Sequence, residues 1–222
     1  MSKQPILFSS EMVLAILEGR KTMTRRVVKW KPCANGEQFD FNSSVTSLGH
    51  YCTDVPESGY VLYSRGRGGV WNQRTKPVHC RWRRGDTLWV RETWEHVLCE
   101  SCEGDLLSYR CPYQSDEEGC YNYRATDRVA GAHWHPSIFM PCKAARVFLS
   151  VRDVRVQRLQ DITDVDARKE GVESREEFRV LWDRLNSKRG FRWAVNPYVW
   201  VIEFENISGQ RHNAEFMITQ SY

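Results

Sequence analysis

The chain has no run of 18 apolar residues, so a membrane-spanning helix is not expected. Its first residues, Met1-Ser2-Lys3-Gln4-Pro5, hold no apolar signal core, which makes a cytoplasmic protein the expectation. Internal repeats and low-complexity tracts are absent, which excludes solenoids and arrays. No spaced glycines precede Lys21, so a Walker-type phosphate loop is excluded. Lysine is scarce: 8 against 24 arginines. Guanidinium groups bind phosphate through two parallel hydrogen bonds and stack on bases, whereas ammonium groups do neither. The imbalance therefore points toward a nucleic-acid or nucleotide partner.

What is present suits one globular domain spanning residues 1–222. Nine Trp, nine Tyr and nine Phe are too many for a disordered chain. The net charge of +4 conceals segregation. Residues 20–31 carry Arg20, Lys21, Arg25, Arg26, Lys29 and Lys31 without an acid, and residues 65–91 set eight basic groups against Asp86 alone. Residues 95–120 reverse the sign, with seven carboxylates facing Arg110.

The patterning is mixed α and β. Residues 10–18 read as a helix, with Ser10 as N-cap, an apolar stripe of Met12, Val13, Ile16 and Leu17, and Gly19 as stop. Residues 36–79 are rich in Gly, Ser, Asn and Asp and read as an irregular excursion with short strands. Gly85-Asp86 turns into a strand over 87–92 with Leu88 and Val90 on one face. Residues 146–151 alternate Val147, Leu149 and Val151 inward, and 154–159 continue similarly. Thr163 to Asp166 caps a short helix stopped by Gly171. Ser174-Arg175-Glu176-Glu177 is a capping box before Phe178, Leu181, Trp182 and Leu185 at helical spacing. A last strand covers 198–205. Short strands without regular helix alternation disfavour a doubly wound parallel sheet and favour a small β-barrel with peripheral helices, an α+β fold.

Gly19-Arg20-Lys21-Thr22-Met23-Thr24-Arg25-Arg26 is the strongest local feature. It can be a basic helix end complementing the helix dipole, an anion contact, or a Lys–Thr base–nucleophile pair if Lys21 is desolvated. Arg91 and Glu92 end a strand, where they suit either a ligand contact or an Arg–Glu structural pair. Trp89, Trp94 and Trp200 are candidates for stacking a base or for plain core. Cys99, Cys102, Cys111 and Cys120 are candidate ligands of a structural zinc clipping an acidic insert; four reduced thiols in a loop is the alternative. His133 and His135 are alternative ligands.

Several motifs in order resemble the ASCH domain family: Gly19-Arg20-Lys21-Thr22-x-Thr24-x-Arg26, Gly85-Asp86-x-Leu88-x-Val90, Glu170 after a capped turn, and Val201-Ile202-Glu203-Phe204. The longer phage and prophage ASCH proteins are similar also at Ile6-Leu7-Phe8-Ser9 with Met12, Leu88-Trp89-Val90-Arg91-Glu92, Trp134-x-Pro136-Ser137-Ile138-x-Met140-Pro141 and Asn196-Pro197-x-Val199-Trp200-Val201. The resemblance covers residues 4–30, 81–96 and 133–205, leaving about 33–80 and 97–130 as insertions. It implies a PUA-like barrel linked to RNA. It further implies an amidohydrolase acting on N(4)-acetylcytidine-like nucleosides, without a catalytic cofactor. Lys21 would be the base, Thr24 the nucleophile and Glu170 the proton donor to the leaving amine. Arg20 and Arg26 of the basic stretch, and Trp89, Arg91 and Glu92 of the strand end, are the expected ligand contacts, read from the residues themselves. A non-catalytic RNA-binding module and a ribonuclease using the same basic cleft are the rival expectations.

Overall fold

A computed structural model describes residues 2–34, 40–42, 46–52, 55–65, 68–97, 115–116, 119–129 and 131–208. The fold is mixed α+β, and most of its elements are strands. The main sheet has five strands in the order β1 (Lys3–Leu7), β6 (Thr87–Arg91), β10 (Phe148–Arg158), β11 (Tyr198–Asn206) and β2 (Met23–Val27). The first pair is parallel and the other three are antiparallel. A second sheet runs β3 (Thr46–Cys52), β4 (Val55–Arg65), β5 (Trp71–Gln73). A third joins β7 (Trp94–Val97), β9 (Gly119–Tyr123) and β8 (Ser115–Asp116). Three α-helices, α1 (Ser10–Leu17), α2 (Asp164–Lys169) and α3 (Arg175–Asn186), complete the regular structure.

The expected closed barrel does not form: among the described residues each sheet is open, and β1 and β2 are the edges of the main one. A side chain links those edges instead. The Arg26 guanidinium donates to the Leu7 carbonyl at 2.6 Å. No helix among the described residues is long and apolar enough to cross a membrane.

Strand periodicity explains how the main sheet covers two cores. On one face, Leu88, Val90, Leu149, Val151, Trp200, Ile202 and Phe204 pack with Ile6, Phe8 and helix α1. Leu62 of β4 joins the same core, with Tyr60 and Leu48 against it, so the second sheet lies over this face. On the other face, Met23, Val199 and Val201 pack against Ala167 of α2 and Phe178 and Trp182 of α3. A bulge between Val151 and Asp153 shifts the inward phase of β10 from odd to even residues, so Val154 and Val156 still reach the first core.

The helix signals hold with small shifts. Ser9, not Ser10, is the N-cap of α1. Thr163 accepts from Asp166 N at 3.1 Å, and Ser174 accepts from Glu177 N at 3.2 Å. The reciprocal half of the second box differs: the Glu177 carboxylate takes Glu173 N at 3.0 Å. Leu185, placed on the apolar stripe by spacing, is 47% exposed. The stretch 36–79 is more regular than its composition suggests, since β4 alone has 11 residues.

Gly171 ends the α2 segment at φ +91°, a left-handed conformation that disfavours side chains. A Cβ there would also stand 3.0 Å from Ala15 Cβ and 3.2 Å from Lys21 Cβ. Gly190 has a similar φ of +82° with nothing within 4 Å. Gly190→Ala is therefore expected to cost about 1–2 kcal/mol, the conformational term alone. Gly171→Ala should cost roughly 1–3 kcal/mol more through overpacking. Urea unfolding of both variants measures the difference; equal losses would show that the crowding at Gly171 is relieved without cost.

Candidate active site

Three stretches of chain converge around Lys21. Lys21 stands two residues after the αL residue Gly19 (φ +74°), and its N–H is held by Ala15 O at 2.9 Å. It forms an antiparallel bridge with Glu170, the C-cap of α2, while Thr22 N donates to Lys169 O at 2.8 Å. The last carbonyls of α2 are thus satisfied by the start of β2. Lys21 Nζ donates to Glu170 O at 2.7 Å, placing a cation against the negative end of the helix. It also donates to Glu170 Oε2 at 2.7 Å, across a sequence separation of 149 residues.

This pair belongs to a balanced four-charge network. Arg25 Nη1 donates to Glu170 Oε1 at 3.1 Å, and its Nη2 donates to Asp166 Oδ2 at 2.9 Å. Lys21 is 2% exposed, and Arg25 and Glu170 are 4% exposed, so all three have left water. Burial is the main influence on Lys21 and lowers its pKa; the Glu170 charge and hydrogen bond oppose that, and Arg26 and Arg25 push it lower still. The Arg25 guanidinium faces the Phe178 ring at 5.7 Å. Sequence reading passed over Arg25. Alternation along β2 puts it with Met23 on the helix-facing side, where Asp166 and Glu170 end their helix, and that phase was the available signal.

Thr24 and Arg26 occupy the opposite face of β2. They register with Ile202 and Trp200, whose side chains belong to the first core. Thr24 is 3% exposed, so β2 inserts a hydroxyl and a guanidinium into an otherwise apolar face. Phe8 ties the two faces together: Lys21 Nζ lies 5.7 Å and Arg26 Cζ 5.2 Å from its ring centre. Glu170 is the favourable charge acting on Arg26. Lys21, Arg26 and Glu170 are therefore brought together, while Thr24 turns toward Ile202 and the first core.

The remaining expected contacts lie elsewhere. Arg20 is exposed, paired with Glu18, and donates to Gly171 O at 3.3 Å. It lines a groove of about 460 Å³ between α1 and α3, with Met12, Ala15, Glu170, Val180 and Leu181. Lys21 and Thr24 do not line that groove, so it is not the volume in front of their reactive atoms. Trp89 is 7% exposed, packed among Tyr121, Tyr123 and Met140, with Arg91 Cζ 4.6 Å from its ring centre. Its faces are taken by protein. Arg91 donates to Ile138 O at 3.0 Å.

Arg91 and Glu92 do not pair with each other. Glu92 is 0% exposed and accepts two bonds from Arg146, both at 2.9 Å. Arg146 also stacks 4.0 Å from the Tyr123 ring centre. Trp200 is core, edge-on to Tyr60 at 5.5 Å. Trp94 packs on Tyr121 and His135.

Of the candidate zinc ligands, Cys99, Cys102 and Cys111 lie outside the described residues. Cys120 is buried on β9, in register with Val97 and Ser115. Among the described residues no three His, Cys, Asp or Glu side chains are grouped to hold a metal ion.

The network predicts asymmetric costs. Glu170→Gln would leave two buried cations short of one carboxylate, and removing one partner of a buried pair costs about 3–5 kcal/mol. Lys21→Met should cost less, because Arg25 still neutralises Glu170. Chemical denaturation of both variants decides this; a larger loss for Lys21→Met would contradict the role given to Arg25. The second buried pair predicts a pH dependence. Burial raises the Glu92 pKa, and the Arg146 bonds and charge pull it down. In Arg146→Met the folded value would rise further. Stability from such a group is full below its unfolded value and is lost as pH rises through the folded one. The variant should therefore lose stability, relative to the parent, on going from mildly acidic to mildly alkaline pH. A pH-independent difference in unfolding midpoint would show that Glu92 does not titrate in that window.

Comparisons of the chain with protein-family models, curated proteins and solved structures found no match.

Proposed function

We propose that the chain is an ASCH-type, PUA-like protein that hydrolyses the acyl–N4 bond of an acylated cytidine-like base, within a nucleoside or RNA. The observation that carries this reading is the buried contact of Lys21 Nζ with Glu170 Oε2 at 2.7 Å, with Thr24 also buried, three residues on along the chain. The motif order supports it, as does the bond from Arg26 to Leu7 O, which joins the two sheet edges that a barrel would close.

The chemistry balances with these groups alone. An amide is a weak electrophile, so attack needs an activated hydroxyl. At rest the pair is an ammonium and a carboxylate. Shifting one proton along the Lys21–Glu170 hydrogen bond gives an amine and a carboxylic acid, the form in which each can act. The amine takes the proton of Thr24 Oγ as it attacks the acyl carbon. The acid gives its proton to N4 as the C–N bond breaks, leaving acyl-threonine and the free base. Water then hydrolyses the ester. Burial favours the neutral lysine this requires, while Arg25 favours the carboxylate and holds the resting state.

Incubation with N(4)-acetylcytidine, followed by the absorbance change on conversion to cytidine, tests the proposal. Thr24→Ala should lower turnover at least 100-fold, as expected when a nucleophile is removed. Its modest volume change should leave the unfolding curve close to that of the parent. Absence of turnover on the free nucleoside and on acetylated RNA, or equal turnover by Thr24→Ala, would refute the assignment.

A further inference from the structure

The second sheet carries a surface that the Lys21 site does not use. Its inner face supplies Leu62 and Tyr60 to the core. Alternation then turns Tyr63 and Arg65 of β4 outward. Arg65 registers with Trp71 and Tyr63 with Gln73, so these four share the outer face. Trp71 is 51% exposed, unusual for the largest apolar side chain on a strand only three residues long. The Tyr63 ring lies across Gly49, where a Cβ would stand 2.9 Å from Cε2. Glycine at that position lets the ring lie flat against the sheet. Tyr51, two residues further along β3, is also 51% exposed.

Among the described residues, cations gather near β5. Arg65, Lys31 and Lys76 are exposed, and Lys76 N bonds Lys31 O at 2.9 Å, bringing the two lysines beside the end of β5. The one carboxylate within the three strands is Glu57. It lies eight residues from Arg65 along β4, about 26 Å away at the rise of an extended strand. Val61, on the same face, is buried, and the exposed part lies toward the β5 edge, where aromatic rings beside cations meet both demands of a single-stranded polynucleotide. The rings stack unpaired bases and the cations neutralise the backbone. Arg65 can do either, because a guanidinium also stacks. Trp71 lies opposite Arg65 and so diagonal to Tyr63, a cross-strand step of about 7–8 Å between the two rings. A protein partner would be expected to meet a more continuous apolar patch than Trp71 beside Arg65 and Gln73.

We infer that the outer face of β3–β5 binds single-stranded nucleic acid, with Trp71 and Tyr63 as stacking platforms and Arg65, Lys31 and Lys76 contacting phosphates. This surface is separate from the Lys21 network, and its occupancy is read by binding rather than by turnover. It extends the proposed function by making a strand, not a free nucleoside, the ligand of the whole molecule.

Fluorescence anisotropy of the full chain with labelled oligouridylate, oligothymidylate and a duplex of equal length tests it. Single strands should bind in preference to the duplex, and affinity should fall steeply with salt. Trp71→Ala should weaken binding roughly tenfold, Trp71→Phe should retain it, and Arg65→Ala should both weaken it and flatten the salt dependence. Preference for the uridylate strand would assign RNA through its 2′-hydroxyls, and equal binding would assign single strands generally. Phe139→Ala, at an aromatic ring 72% exposed outside this sheet, should bind like the parent. Parent-like binding by Trp71→Ala, preference for the duplex, or no binding at low salt would overturn the inference. Should Trp71→Ala fail to fold, Arg65→Ala carries the same decision. Binding without hydrolysis would leave this surface standing and remove the amidohydrolase reading; hydrolysis of the nucleoside without strand binding would do the reverse.

Discussion

Burying the Lys21 ammonium is the constraint around which this fold is arranged. Removing an ion from water costs several kcal/mol, and its partner repays that only with good geometry and satisfied donors. Lys21 meets both conditions by using the side chain and the carbonyl of one residue, Glu170. That residue must stand at the end of α2, so the helix has to finish where β2 begins. The bridge between Lys21 and Glu170, and the bond from Thr22 N to Lys169 O, make this junction part of the backbone. Gly171 then has to turn away at once, against Ala15 and Lys21, in a conformation that glycine adopts readily.

Arg25 closes the balance of charge. Lys21 and Arg25 face Glu170 and Asp166, two cations against two carboxylates. The strand alternation that sends Arg25 to the helices sends Thr24 and Arg26 to the opposite core. One five-residue strand therefore serves two layers: an ionic lock toward α2, and a polar intrusion into the apolar face beneath the second sheet. Arg26 uses that position to reach the far edge of the sheet at Leu7. The gap between β1 and β2, which a barrel would close with backbone bonds, is spanned by a guanidinium.

The sequence shows these parts unequally. Caps and periodicities are local, and Thr163, Ser174, Gly171 and the inward series Val147, Leu149, Val151 stand as read. Leu185 escaped because helical spacing marks a stripe without giving the width of what covers it. The second sheet shows in the sequence only as short strands in an irregular stretch, because its composition masks the length of β4. Its outer face is polar and aromatic, and Gly49 sits there for the sake of the Tyr63 ring, not for a turn. Trp89 and Glu92 carried the right chemistry for a ligand, but their partners, Arg91 above one and Arg146 beside the other, depend on tertiary contacts. Lys21 and Glu170 were linked through family resemblance. Spacing could not have linked them, since nothing local relates residues 149 positions apart.

The same lock sets the terms for any chemistry at the site. A network with equal charges of each sign and short bonds is a stable ground state, and a ground state alone accelerates nothing. What separates a reactive site from a structural one here is a proton's position on a 2.7 Å bond between Nζ and Oε2. Burial acts on that proton by disfavouring the ammonium, and Arg25 acts against it by favouring the carboxylate. Nζ is already shut off from water, and its third hydrogen is not used by Glu170. The dry surroundings weaken the charged form of the pair without touching Arg25. The charges that hold α2 to β2 are therefore opposed by the same burial that would release the proton, and only the two bonds to one residue, with Arg25 behind them, keep the lock closed.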